Sequence, residues 1–215
     1  MNYNYYEILT HIGHSEKVLF MRVFIAVLIL IFSLQSLSKA DSASDFQIDE
    51  ISVGDSLLDH FDENEIIQSL QNPTYYPMSN KMKVILFYPK KSDRYERYDV
   101  HIKEDDSNYI IYAVKGLIKI SIDKCLNQKK KVVSEIEYIF SDAGRKDYTD
   151  NYANAYGNSK AYITDFTLSD GRIRIWCMEW DQNNEKVILS GWWDGLSVNI
   201  SSKEQIDFIT KEAYK

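Results

Sequence analysis

The stretch Ile51–Phe61, ISVGDSLLDHF, admits two readings, and each brings its own fold. In one, Ser56 is a catalytic nucleophile. In the other, Gly54 makes a turn and Asp55 caps a short helix through Phe61. Leu57, Leu58 and Phe61 then face a core. A serine hydroxyl attacks only where a base takes its proton, so the first reading needs a histidine in reach. No histidine follows His101, and His101 lies on the polar side of an alternating strand. The residues before the turn, FQIDEISV, do not form a continuous apolar strand. The second reading accounts for every residue.

Working outward, Asp62 caps a second helix, Glu63 to Gln71, which Asn72-Pro73 ends. KVILFYP, Lys83 to Pro89, reads as a buried strand. Tyr95 to Lys103 alternates, with Tyr98, Val100 and Ile102 on one side and Arg97, Asp99, His101 and Lys103 on the other. Glu104 to Asn108 is a turn, and Tyr109 to Ile120 a return strand. Asp123 opens the longest helix, to about Ser141, with Cys125, Val132, Val133, Ile136, Ile139 and Phe140 as its apolar stripe. Lys129-Lys130-Lys131 reads as that helix's solvated face. A polar stretch, Asp142 to Ser159, precedes four further strands: Lys160 to Leu168, Arg172 to Asp181, Glu185 to Trp193 and Leu196 to Ile200. Asp170-Gly171 and Asp194-Gly195 are hairpin turn residues. Ser201-x-x-Glu204 is a capping box for a last helix to about Ala213. The expected fold is α+β: an antiparallel sheet of about seven strands in hairpins, with a long central helix and terminal helices packed on it.

The amino terminus reads as an address. In MRVFIAVLILIFSLQSLSKADS, Met21 to Ser42, Arg22 supplies a positive start and Val23 to Leu34 an apolar run. Ser38-Lys39-Ala40 then offers small residues for cleavage before Asp41. Twelve helical residues rise about 18 Å, short of the roughly 30 Å hydrocarbon core. The expectation is therefore a signal peptide over 21–40 and a single exported domain over 41–215. Residues 1–20 read as an upstream start artefact, with Met21 the true start. The alternative is an uncleaved anchor in the inner membrane. Either way the domain faces the periplasm or the exterior.

The chain carries a net charge of −7 over 215 residues, with 13% aromatic residues and sixteen Tyr. Loss of residues 1–40 removes Lys17, Arg22, Lys39, Glu7 and Glu16, leaving 22 basic against 30 acidic residues and a charge of −8. No basic stripe is present, so nucleic acid is not an expected partner. Cys125 and Cys177, an even pair in an exported chain, are expected to form a disulfide; the alternative is two buried thiols. No metal site and no cofactor are expected. There is no phosphate-cradling glycine loop and no HExxH, and Asp181-x-Asn183-x-Glu185 lacks the glycine and distal glutamate of a calcium loop.

All four Trp lie between residues 176 and 193. Trp176 and Trp180 share the even side of their strand with Arg174 and Met178, opposite Cys177. That side is either a ligand surface or a second core layer. Tyr148, Tyr152 and Tyr156, at spacing four, would share one face of a helix, either in a ligand loop or packed on the sheet. With Trp192 they are the candidate binding residues, for a glycan, a peptide or an envelope component.

Gly54-Asp55-Ser56-Leu57 resembles the signature of the GDSL hydrolases, whose serine is the nucleophile. That resemblance covers four residues and implies an esterase using Ser56. The chain departs from the family in lacking the Asp-x-x-His motif near the C-terminus and the Gly-x-Asn-Asp block. The wider segment is similar to the mature N-termini of small exported bacterial proteins that carry Ile-x-Val/Ile-Gly-Asp-Ser-Leu-Leu-Asp-x-Phe. No activity comes with that likeness. Together these readings point to an exported binding or envelope-associated protein without catalytic residues, with the Ser56 esterase as the alternative.

Overall fold

Alternating apolar residues that pair through short turns build an antiparallel sheet, because each hairpin places neighbouring strands side by side. The structure, a computed structural model, describes residues 40–89 and 94–215. The predicted start artefact and all of the signal segment but Ala40 lie outside the described residues. Eight strands form one sheet: β1 (Thr74–Tyr76), β2 (Ser79–Phe87), β3 (Arg97–Lys103), β4 (Ala113–Lys119), β5 (Gly144–Asn151), β6 (Lys160–Thr167), β7 (Gly171–Glu179) and β8 (Gly195–Ser202). Their order is β1-β2-β3-β4-β8-β7-β6-β5, and every neighbouring pair is antiparallel. The helices are α1 (Glu63–Ser69), α2 (Ile122–Ile139), α3 (Ala153–Tyr156), α4 (Glu185–Ser190) and α5 (Lys203–Lys211). The fold is thus α+β, with eight strands rather than about seven.

Three local readings are corrected. Glu185 to Trp193 is the helix α4 and not a strand. Asn184 accepts the Lys186 and Val187 N–H groups at its start, and Gly191 ends it in the left-handed conformation (φ 62°). The polar stretch before Ser159 contains the edge strand β5, whose charged residues suit an edge left without a partner. Tyr148 therefore sits on a strand, and Tyr152, at the start of α3, is not one helical turn beyond it. Thr74–Tyr76 adds the short edge strand β1.

One face of the sheet carries the main core. Val100, Val114, Ile200 and Ile173 stand in one row across β3, β4, β8 and β7, each fully buried. Helix α2 lies over β7 and β8 and inserts Cys125, Val133 and Ile136, with Phe140 closing its end. Each such side chain, fully buried, contributes about 1.5–3 kcal/mol. Of the expected stripe, Ile139 points outward. The helix starts after Ser121, so Asp123 falls in its first turn, where a carboxylate suits the dipole. Lys129 departs from the expected solvated run by donating to Thr164 Oγ1 at 2.7 Å; Lys130 and Lys131 are exposed. Cys125 and Cys177 form a disulfide, with their Cα atoms 5.8 Å apart, that ties α2 to β7.

ISVGDSLLDHF packs over this core without entering the sheet. Gly54 turns at φ 93°, a conformation that glycine adopts without steric cost. Gly54 N–H donates to Ile111 C=O, Ile111 N–H to Asp55 C=O, and Leu57 N–H to Tyr109 C=O. Those pairings claim Tyr109 to Ile111, which is why the return strand begins only at Ala113. The last helix is capped by Ser202, which accepts the Gln205 N–H, and not by Ser201. Helix α5 packs on the opposite face of the sheet, where Phe208 meets Tyr76 and Met82.

Candidate functional site

Ser56 is the cap that Asp55 was expected to be. Its Oγ accepts the Leu58 N–H at 3.2 Å and donates to the Asn108 carbonyl at 2.7 Å. Asp59 returns the favour by accepting the Ser56 N–H, which completes a capping box over the single turn Leu57–Asp59. Such a cap contributes about 1 kcal/mol. Leu57 is fully buried, whereas Leu58 is 50% exposed and does not face the core. The nearby imidazole serves another partner: His60 Nε2 lies 2.9 Å from Asp55 Oδ2, which also accepts the Ser52 N–H. The Ser56 hydroxyl is thus committed to backbone groups.

The second sheet face is built differently. Cross-strand partners share a face, so the register defines a row: Leu86, Asp99, Lys115, Asn199, Arg174, Asp165 and Lys146, one residue from each of seven strands. Arg97 and Lys115 both bond Asp99, Arg97 with its Nε 2.6 Å from Oδ1. Burial pushes the Asp99 carboxyl up, but Lys115 and Arg97 outweigh it and hold it below the usual carboxylate range. Arg174 forks onto Asp165 at 2.7 and 2.8 Å and also donates to Tyr148 Oη at 2.7 Å. Asp165 is depressed in the same way, with Arg174 and Arg172 outweighing its burial. Arg172 stands one row over, with Nη1 3.9 Å from Asp165.

Beside this row lie the aromatic residues. Ala161, Ile163 and Met178 form a small apolar cluster with Tyr148, Tyr152, Trp176 and Trp180 around it. Trp180 lies 4.4 Å from Trp192 between ring centroids, Tyr156 lies 5.1 Å from Trp192 and 5.8 Å from Trp180, and Tyr152 lies 6.4 Å from Tyr156. The structure therefore gathers all six candidate binding residues, Tyr148, Tyr152, Tyr156, Trp176, Trp180 and Trp192, into one group. The elements that carry them differ from those expected. Trp192 is placed by its N–H bond to Val187 C=O at the end of α4 and is 37% exposed. Ile188 and Leu189 continue the surface outward, at 59% and 78% exposure. The Asp181 carboxylate accepts the Asn158 and Asn183 N–H groups, which is turn chemistry.

No family model, curated protein or solved structure matches this chain.

Sequence reasoning placed Arg174 on the tryptophan side of β7 but did not mark it as a site residue. It missed Arg172, Lys115, Asp165 and Asn199 altogether. The available signal was the alternation Arg172-Ile173-Arg174-Ile175, with charged residues on the face opposite the core. The partners on β4, β6 and β8 become visible only once register is known.

Proposed function

We propose that the protein is an exported binding module, without catalytic residues of its own, whose ligand surface is the aromatic end of the second sheet face. The convergence of six Tyr and Trp rings from β5, α3, β7 and the α4 segment, with Trp192 half-open beside exposed Ile188 and Leu189, carries this reading. Rings of this kind offer broad apolar faces with polar edges, as ligand sites commonly do. α5, the helix that packs on this face, covers Tyr76 and Met82 at its other end. The capped state of Ser56 supports a role for that segment in folding rather than in acyl transfer.

Export is supported by the disulfide and by the anchoring of the residues that follow the expected cleavage point. Asp41 C=O accepts the Ser169 N–H and hydroxyl, and Asp170 accepts the Ser42 hydroxyl and the Ala43 N–H, each at 2.7 Å. The first residues after the expected cleavage point are thus already anchored to the β6–β7 turn. Among the described residues no helix is long and apolar enough to cross a membrane. N-terminal sequencing of the protein recovered from the periplasm or medium will begin at Asp41; a first residue inside β1 or later removes this assignment.

Binding is tested by tryptophan fluorescence across a broad panel of neutral and acidic glycans and of peptides. At least one class will shift the emission, and Trp192→Ala will weaken that response about tenfold. No response from any class overturns the reading.

A further inference from the structure

We infer that this surface takes an acidic glycan, whose carboxylate or sulfate groups seat on Arg172, Arg174 and Lys115 while its sugar rings lie along Trp176 toward Trp192. The inference rests on the proposed ligand surface and names what occupies it.

Charge is the first ground. In a chain of net charge −7, the row and its two neighbours hold five cations, Arg97, Lys115, Lys146, Arg172 and Arg174, against two carboxylates, Asp99 and Asp165. The excess is positive and local, where the protein as a whole repels anions.

Unused donors are the second ground. Each guanidinium carries five N–H groups in a fixed fork. Arg174 spends its Nε and Nη2 donors on Asp165 and Tyr148. Arg172 approaches only the edge of Asp165, and its Nε–H is buried with no hydrogen-bond partner. The Nε–H is sealed from solvent, so a ligand's anion would meet the rest of the Arg172 side chain, which is 27% exposed. Burial, then the charge of Arg174, disfavours the Arg172 cation, which an incoming anion would reverse. Asn199 lies in the same row between Lys115 and Arg174, its amide nitrogen donating to Ser201 Oγ at 2.8 Å.

Shape is the third ground and selects the glycan. Arg172, Arg174, Trp176 and Met178 alternate along one side of β7, and Trp180 follows just past its end. At about 3.4 Å per residue this is a stripe of roughly 27 Å, cationic at one end and aromatic at the other. Lys115 Nζ stands 6.0 Å from the Trp176 centroid and the Arg174 guanidinium 5.9 Å from that of Tyr148, so charge and ring faces are interleaved. The stripe lies on the face of β7, an interior strand, whereas among the described residues the edges of the sheet are β1 and β5. An added peptide strand would need such an edge.

The experiment titrates the full protein with polygalacturonate, dextran sulfate, unsulfated dextran and polyglutamate, reading tryptophan emission and mobility in affinity gels. Polygalacturonate or dextran sulfate will bind, with affinity falling as salt rises, and dextran and polyglutamate will not. Arg172→Gln, whose nearest acid is 3.9 Å away, will weaken that binding about tenfold while leaving the circular dichroism spectrum unchanged. Lys211→Gln, on α5, serves as the charge control and will leave it unaltered. Binding of dextran as tight as that of dextran sulfate, with loss on Trp192→Ala, keeps the ligand surface and overturns its acidic specificity. Preference for polyglutamate overturns the glycan. Equal losses from Arg172→Gln and Lys211→Gln overturn the site by revealing diffuse charge attraction.

Discussion

Replacing Cys125 and Cys177 together by alanine lowers the unfolding free energy by about 4 kcal/mol and the midpoint of thermal unfolding by about 10 °C. The bridge spans 52 residues of sequence, from the first turn of α2 to the middle of β7. Within that loop lie β5 and β6 and the connections between them. Cutting it restores that freedom to the unfolded chain, and the cost rises only slowly with loop length. For a domain of ordinary stability, about 5–15 kcal/mol, the loss is a quarter or more of the whole. Both half-cystines are fully buried between α2 and the sheet, so reductant alone reaches the bridge slowly while the protein is native. Urea titration of the double variant beside the parent measures the difference directly. A change below about 1 kcal/mol means that the bridge is no constraint on the unfolded chain.

Acid weakens the fold through His101, and the effect is about 3 kcal/mol. Burial, aided by the positive charge of Lys115, pushes the His101 imidazole down from 6.5 to about 4, against an opposing pull from Asp99. In the folded protein the ring is neutral, and its Nδ1 shares a hydrogen bond with the Tyr76 hydroxyl. Above pH 6.5 the ring is neutral in both states, and its contribution is fully present. As pH falls from 6.5 to about 4, the unfolded chain takes up a proton that the folded protein refuses, so stability is lost across that window. Asp99 and Asp165, held below the usual carboxylate range by their cationic partners, add further losses at lower pH as they are forced to protonate. His101→Asn keeps an acceptor for Tyr76 and removes the titration. Urea unfolding from pH 7 to 4 will slope steeply in the parent and much less in the variant. An unchanged slope in His101→Asn assigns the acid sensitivity elsewhere.

The two effects act on opposite faces of the sheet. The disulfide fixes the core side, where α2 must stay on β7 and β8. His101, Asp99 and Lys115 lie on the other side, next to the proposed ligand surface. Anion binding at Arg172 and Arg174 therefore adds to the charge pattern that acid dissolves, without depending on the bridge.

Local order along the chain was legible wherever one side of a strand or helix meets the core. The alternation at Tyr98, Val100 and Ile102 and the stripe from Cys125 to Phe140 each state which residues are buried, because burial imposes a period on the sequence. The same logic put Cys177 opposite Trp176 on its strand, whereas the disulfide was expected from the even pair of cysteines in an exported chain. Periodicity failed at β5, an edge strand too polar to show alternation, and at α4, whose run Val187-Ile188-Leu189 reads equally as strand or helix until Asn184 and Gly191 cap it. What only tertiary structure decided is the row of charges. Arg172 and Arg174 sit on β7, Asp165 on β6, Asn199 on β8, Lys115 on β4 and Asp99 on β3. The strand order β3-β4-β8-β7-β6 and its register bring them together, and register depends on pairings between residues as far apart as Ala113 and Ser201, which no local pattern encodes.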